Sequence, residues 1–171
     1  MMSTTLIKIK DQEQKTALHA WAKAGYRVRI IAGTGFGKSR CAVLAMGLVI
    51  KQYGGRGLVL VPTTQLQTQF EDEFKKWGYD DVLNSIDILC YASAHKLRAE
   101  HYSLVVCDEV HLGLSPVYRK FFEHNTYDKL LCMTATMPEE DEYRELLINL
   151  APVAYRITLE QCVAPGLDDP Y

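Results

Sequence analysis

The pattern of apolar and polar positions along the chain alternates between two periods. Short apolar runs rich in β-branched residues, typical of buried strands, lie at 26–32, 57–61, 85–90, 104–107, 129–133 and 153–157. Longer segments of helical composition lie at 12–24, 38–53, 64–77, 115–123 and 138–150. Apolar strands separated by helices predict an α/β fold, a three-layer sandwich in which helices cover both faces of a mostly parallel sheet.

Local signals mark the ends of the predicted helices. Asp11 is a candidate N-cap for the first helix, and Gly25 and Gly78 are candidate helix stops. Pro116 and Pro138 suit first helical positions, where a missing N–H costs nothing. Because ligands of such folds bind at the carboxyl ends of the strands, the residues that follow each strand are the candidates for chemistry.

The turn after the first predicted strand has the sequence AGTGFGKS, at 32–39. Gly33, Gly35 and Gly37 allow backbone N–H groups to surround phosphate oxygens, and the following helix directs its positive end at the same place. Lys38 is placed to reach the β- and γ-phosphates, and Ser39 to offer a hydroxyl to Mg²⁺. The alternative is a glycine-rich turn that binds no ligand. The position between a strand and a helix favours phosphate binding.

A second motif, DEVH, follows the strand predicted at 104–107. In phosphoryl transfer, Asp108 could hold Mg²⁺ through water while Glu109 orients and deprotonates the attacking water. Taken alone, an acidic pair after a strand is more often a solvated turn. Its occurrence downstream of a phosphate loop makes the catalytic interpretation the stronger one.

Composition restricts the setting of this chemistry. The 171 residues carry a net charge of −2, which argues against nucleic-acid binding by bulk charge and leaves only a local binding site. The first ten residues, MMSTTLIKIK, lack the apolar core of a signal peptide, and the longest apolar stretch, 41–50, is too short to span a bilayer. We therefore expect a cytoplasmic or nuclear protein without a membrane partner. No cysteines form a C-x-x-C pair, and they suit small core residues of a reducing compartment: Cys41, Cys90, Cys107, Cys132 and Cys162.

Together with these two motifs, two further segments make the chain resemble the first RecA-like lobe of a superfamily 2 helicase of the DExH type. The form A-x-x-G-x-G-K-S, with Ala32 in place of the usual glycine, is the variant these helicases prefer. VPTTQLQTQF at 61–70 resembles motif Ia, and MTATMP at 133–138 resembles motif III. The resemblance implies a RecA-like phosphate-loop lobe that binds ATP and Mg²⁺ and acts in a nucleic-acid-dependent helicase or translocase.

The resemblance also implies residue roles. The implied ATP-binding residues are Gln14, Gly33, Thr34, Gly35, Phe36, Gly37, Lys38, Ser39 and Arg40. The implied catalytic residues are Lys38, Asp108, Glu109 and His111, with Ser39 and Asp108 as the metal ligands. His111, Thr134 and Thr136 would couple the nucleotide to the nucleic acid. The alternatives are an exposed helix glutamine at Gln14, an ordinary turn histidine, and threonines that cap the helix after Pro138.

By the same resemblance, Pro62, Thr63, Thr64 and Tyr91 would contact the nucleic-acid backbone, with DNA favoured over RNA. Backbone N–H groups at a helix N-terminus and threonine hydroxyls suit phosphate oxygens. The alternative for the threonines is that they only cap the helix at 64–77.

Motors of this superfamily need a second RecA-like lobe, in cis or from a partner in trans. We expect the lobe at 1–158 and a linker towards an absent second lobe at 159–171. The arginine finger belongs to that second lobe, so we expect very slow hydrolysis by the 171 residues alone. The other function considered is a stand-alone ATP-binding switch or partner-dependent module. A phosphate-loop kinase is disfavoured, because DEVH and TATMP have no role in one.

Overall fold

The computed structural model describes residues 27–32 and 38–157, and in these residues six parallel strands form a single sheet. The strands are β1 Arg27–Ala32, β2 Gly57–Val61, β3 Ile86–Cys90, β4 His101–Cys107, β5 Thr126–Thr134 and β6 Val153–Ile157. Their order in the sheet is β3-β2-β4-β5-β1-β6. The parallel sheet predicted from the apolar runs is confirmed.

Helices connect the strands on both sides of the sheet. They are α1 Lys38–Tyr53, α2 Thr64–Lys76, α3 Tyr91–Ala94, α4 Lys120–His124 and α5 Asp141–Leu150, with 3₁₀ turns at Val82–Ser85 and Val110–Leu114. Gly78, at φ 79°, follows the C-cap of α2, and its N–H bonds to the carbonyl of Lys75. The helix therefore stops where the sequence predicts, because a residue with no Cβ tolerates the left-handed conformation.

Alternate residues of each central strand belong to different cores. Val59 and Val61 of β2 pack with α1 and α2 on one face, whereas Leu58 and Leu60 pack with α3, α5 and the second 3₁₀ turn on the other. All five residues of β2 are buried. A strand buried on both faces is the reason for its uninterrupted apolar sequence, and the three-layer arrangement is confirmed.

The strand order brings the two sharp sequence motifs to the same edge of the sheet. β5 lies between β1 and β4, in register with both: Ile31 pairs with Thr134, and Cys107 pairs with Cys132. The carboxyl ends of these three strands thus lie side by side at one edge of the sheet. Further along that edge, the N–H of Asp108 bonds to the carbonyl of Leu60 at 2.8 Å, which ties the DEVH turn to the end of β2.

Two predicted helices are shorter than expected. The segment 115–119 forms turns, in which the Ser115 hydroxyl accepts the N–H of Tyr118, and only α4 is helical. The last helix begins at Asp141, with Glu140 as its N-cap, three residues after Pro138. β4 and β5 begin earlier than predicted, since their first residues are polar yet pair with each other from His101 and Thr126 onwards.

The described cysteines behave as core residues. Cys41, Cys90, Cys107 and Cys132 are free thiols and buried, as expected, whereas Cys162 lies outside the described residues. No helix within the described part of the chain is long and apolar enough to cross a bilayer.

Candidate nucleotide-binding and catalytic site

An ion pair joins the two sequence motifs. Lys38 is the first residue of α1 and follows the phosphate loop, whereas Glu109 follows β4 by two positions. The Nζ of Lys38 lies 3.4 Å from Oε1 of Glu109, with side chains that are 17% and 31% exposed. The structure thus brings together a cation suited to phosphate and a carboxylate suited to activating water.

The DEVH turn has a strained backbone at its second residue. Glu109 has φ 46° and ψ 55°, a left-handed conformation that costs a residue with a Cβ about 1–3 kcal/mol. The N–H of Glu109 donates to Oδ1 of Asp108 at 3.1 Å, and the N–H of Leu112 bonds to the carbonyl of Glu109 at 3.0 Å. These bonds hold the turn so that the Asp108 and Glu109 carboxylates follow the strand directly.

The electrostatics of the turn favour a cation. Burial, the largest cause, and the neighbouring charge of Glu109 raise the pKa of Asp108 above its ordinary value, whereas Lys38 lowers it. Two adjacent carboxylates therefore share the charge of one lysine. Within residues 27–32 and 38–157, no group of three or more His, Cys, Asp or Glu side chains could form a metal cage.

His111 connects the DEVH turn to the end of β5. Its Nδ1 lies 3.3 Å from Oγ1 of Thr134 and 3.7 Å from Oε2 of Glu109. The Thr134 hydroxyl also donates to the carbonyl of Thr136 at 2.6 Å, and the N–H of Thr136 approaches the same hydroxyl oxygen at 3.3 Å. The three proposed coupling residues are thus in one chain of contacts. A cap on α5 by Thr136 is not formed, because α5 begins only at Asp141.

Thr63 is the N-cap of α2, and its Oγ1 accepts the N–H of Leu66 at 3.3 Å. Pro62 is half-buried, and Thr63 and Thr64 are exposed at the carboxyl end of β2. Thr63 therefore caps α2, as the alternative interpretation predicted. That bond uses the hydroxyl as an acceptor and leaves its proton available to a phosphate oxygen.

The expectation that Tyr91 contacts nucleic acid is corrected by its burial. Only 2% of the residue is exposed, and its hydroxyl donates to the carbonyl of Asp108 at 2.7 Å. The ring stacks on Tyr118 with centroids 6.2 Å apart. Burial also raises the pKa of the phenol, so the hydroxyl keeps its proton. The sequence places a tyrosine after β3 but does not show which way it points.

The remaining predicted nucleotide contacts are placed only in part. Ser39 lies in the first turn of α1 and is half-buried. The guanidinium of Arg40 lies 4.3 Å from the ring centroid of Trp77, a partner that the sequence did not suggest. Outside the described residues lie Gln14, Gly33, Thr34, Gly35, Phe36 and Gly37.

Comparison with known proteins identifies the family. A sequence model of DEAD/DEAH box helicases matches residues 11–97, just over half of the chain, which include the phosphate loop and the start of α2. The chain belongs to the DEAD/DEAH box helicase family. It is a helicase-type ATP-binding lobe, which confirms the resemblance found in the sequence and implies nucleotide binding.

A curated relative supports this assignment. The "Putative DNA 3'-5' helicase Rad25" of Haloarcula marismortui is 27% identical over 164 residues, a match that covers 85% of this chain and 25% of the relative. The chain thus spans about a quarter of the length of the curated relative it matches.

Solved structures share the fold. The helicase domain of Pyrococcus furiosus Hef matches with a TM-score of 0.66 at 18% identity, over 85% of this chain and 37% of that one. The UvsW helicase of bacteriophage T4 matches with a TM-score of 0.65 at 17% identity, over 84% and 58%. The Sulfolobus solfataricus SWI2/SNF2 ATPase core in complex with dsDNA matches with a TM-score of 0.59 at 15% identity, over 92% and 44%. The RecA-like architecture of the lobe is confirmed.

Proposed function

We propose that this lobe binds Mg-ATP in a DNA-dependent helicase or translocase and serves as its first RecA-like lobe. The observation that supports this most directly is the 3.4 Å contact between Lys38 and Glu109, one from each motif. A cation suited to phosphate and a carboxylate suited to activating water, this close together, would both be within reach of one γ-phosphate.

In this proposal, Lys38 exchanges Glu109 for the β- and γ-phosphates when ATP enters. Glu109 then accepts the proton of the attacking water, for which it is oriented by the left-handed backbone of the turn. Backbone N–H groups of residues 33–37 and the positive end of α1 would hold the phosphates, Gln14 would read the adenine edge, and Arg40, in the first turn of α1, would contribute to nucleotide binding. The low hydrolysis rate expected of the 171 residues reflects an arginine finger supplied by a second lobe, in cis or in trans.

The residues at the site fit Mg²⁺. This ion is commonly held by one or two carboxylates together with the phosphates of the substrate, instead of an all-protein cage. Asp108, half-buried next to a second carboxylate, and the Ser39 hydroxyl are the oxygen ligands the chain offers. When bound, the ion neutralises charge on the transferring phosphoryl oxygens.

Nucleic acid is proposed to lie across the carboxyl edge of β2, where Pro62, Thr63 and Thr64 begin α2. Contacts of this type grip the phosphate backbone, so little sequence preference is expected. The chain of contacts from Glu109 through His111 to Thr134 and Thr136 would transmit the state of the nucleotide to the strand ends. A lobe at 1–158 with a linker at 159–171 stays part of this proposal.

The test uses the 171-residue chain and a fluorescent ADP analogue, titrated with and without Mg²⁺. Lys38→Ala should remove most of the affinity, whereas Lys51→Ala, a lysine in the last turn of the same helix, should bind like the parent. Equal affinity of the parent and Lys38→Ala would overturn the assignment of the phosphate loop.

The same samples, assayed for ATP hydrolysis with single- and double-stranded DNA and with RNA, test the second part of the proposal. Hydrolysis should be very slow with every nucleic acid, and binding should favour DNA. Rapid turnover stimulated by nucleic acid would contradict the need for a second lobe, and equal binding of RNA would contradict the preference for DNA.

A further inference from the structure

The hydroxyl of Tyr91 contacts the backbone of the DEVH turn. Tyr91 is the first residue of α3, immediately after β3, and its hydroxyl donates to the carbonyl of Asp108 at 2.7 Å. This carbonyl belongs to the peptide that joins Asp108 to Glu109. The tyrosine therefore hydrogen-bonds to the backbone between the two carboxylates.

The ring has little freedom to move. A Cβ at position 113 would lie 2.5 Å from Cε1 of Tyr91, so Gly113 leaves the ring only the space it fills. The ring also stacks on Tyr118 at an interplanar angle of 18°. A buried ring held by these two contacts places its hydroxyl at one position relative to the turn.

Three hydrogen bonds fix the same short segment. Asp108 donates its N–H to Leu60, its carbonyl accepts from Tyr91, and the next N–H, that of Glu109, bonds to Oδ1 of Asp108. The second and third bonds lie at opposite ends of one peptide plane. Rotation of that plane would break the bond to Oδ1 and turn the Asp108 carboxylate.

The plane also needs support, because Glu109 is left-handed. A strained conformation at a functional site persists only when its surroundings hold it in place. Within the described residues, the peptide between Asp108 and Glu109 is hydrogen-bonded by the side chains of Tyr91 and of Asp108 itself. Loss of the tyrosine hydroxyl would let the plane relax towards a less strained rotation.

We propose that Tyr91 is a positioning residue for Asp108 and Glu109. By holding the peptide plane between them, it fixes the directions of the two carboxylate side chains. It also links the segment after β3 to the catalytic turn. This inference rests on the proposed function, because it assumes that Asp108 takes part in holding Mg²⁺.

The test compares Tyr91→Phe with the parent in the 171-residue chain. Affinity for the ADP analogue without Mg²⁺ should not fall, because Glu109 only competes with the phosphates for Lys38. The gain in affinity on adding Mg²⁺ should fall by about two- to twelvefold, as expected for one hydrogen bond of about 0.5–1.5 kcal/mol. Mn²⁺ in place of Mg²⁺ gives an electron paramagnetic resonance spectrum of the bound ion, which should change in the variant.

Tyr102→Phe is the matched control. Tyr102 is equally buried, and its hydroxyl accepts from Arg56 at the opposite edge of the sheet. Its Mg²⁺ response should equal that of the parent, so a general effect of losing a buried hydroxyl would appear in both variants.

The outcomes separate the inference from the proposed function. A parent that binds nucleotide with no response to Mg²⁺ contradicts the metal site itself. A Mg²⁺-responsive parent with an identical Tyr91→Phe variant overturns only the role of Tyr91. So does a variant that loses affinity equally with and without Mg²⁺, which indicates a purely structural role. If Tyr91→Phe does not fold, Gly113→Ala replaces it, because the new Cβ displaces the Tyr91 ring and keeps its hydroxyl. An unchanged gain in affinity on adding Mg²⁺ to this variant would overturn the role of Tyr91.

Discussion

Removal of the Glu109 charge should strengthen nucleotide binding, although it removes a proposed catalytic group. Lys38 is held by Glu109 at 3.4 Å, and ATP must replace this partner. Glu109→Gln leaves the geometry of the side chain nearly unchanged and removes the competition. It also removes a negative charge from the place where phosphates bind.

The magnitude follows from the geometry of the pair. At 3.4 Å and an effective dielectric constant of about 20, the gross attraction is about 5 kcal/mol. Both side chains are partly exposed, so solvent screening and side-chain ordering reduce the net value to about 1 kcal/mol. The expected gain in affinity is therefore about fivefold.

Titration of the fluorescent ADP analogue at low and at high salt measures the effect. The gain should shrink at high salt, because screening already weakens the pair in the parent. Asp128→Asn is the matched control, since it removes one negative charge at the opposite edge of the sheet, where Asp128 pairs with His101. Weaker ADP binding by Glu109→Gln than by the parent would refute the idea that the carboxylate competes for Lys38.

Three further predictions concern the surface, the backbone and the core. Thr63→Asp should keep the cap of α2 and hence the stability, yet weaken DNA binding severalfold in a filter-binding assay, because its charge repels phosphates. Gly55→Ala should lower the free energy of unfolding by about 2 kcal/mol or more in urea, since φ is 81° and the new Cβ meets the Ser103 hydroxyl. Burial raises the pKa of the Cys41 thiol to about 12, so above about pH 8.5 the unfolded chain releases a proton that the folded chain keeps. Stability should therefore fall by about 1–2 kcal/mol between about pH 8 and pH 10 from this thiol alone.

Each of these predictions has a control within the chain. Thr68→Asp adds the same charge in the middle of α2 and should leave DNA binding intact, so equal binding by both variants would contradict the contact at Thr63. In Gly54→Ala the new residue is strained by a φ of 72°, but its Cβ meets no atom within 4 Å. This variant should therefore lower the free energy of unfolding less than Gly55→Ala does. Cys41→Ala should lose less stability between the two pH values than the parent, and an equal loss would contradict the assignment to this thiol.

The sequence predicts the centre of the fold better than its periphery. The bounds of α1 and β2 agree with the prediction, because uniform apolar composition and the glycines at 54 and 55 fix them locally. The start of β4 is missed, since His101 is polar and pairs only because Thr126 lies opposite. The segment 115–123, predicted as a helix, consists mostly of turns. The reason is that the Ser115 hydroxyl accepts the N–H of Tyr118, whose ring stacks on Tyr91.

The site shows the same division. Motif spacing is enough to predict that Lys38 and Glu109 meet, because both follow strands of one parallel sheet. The direction of Tyr91 is not predictable in this way. A tyrosine after a strand can face solvent or the core, and here Gly113, distant in sequence, provides the space that receives the ring. Contacts between segments that are distant in sequence therefore determine the direction of side chains that the local sequence pattern does not predict.

The place of β5 between β1 and β4 has a consequence for the size of the site. Neighbouring strands of a sheet are about 4.8 Å apart, so the one strand between β1 and β4 separates their carboxyl ends by about 10 Å. The backbone hydrogen bonds of the sheet fix this separation, and no side chain can alter it. Lys38 and Glu109, which come after these two strands, bridge the gap with their side chains. Thr134 ends β5, the strand that lies between them.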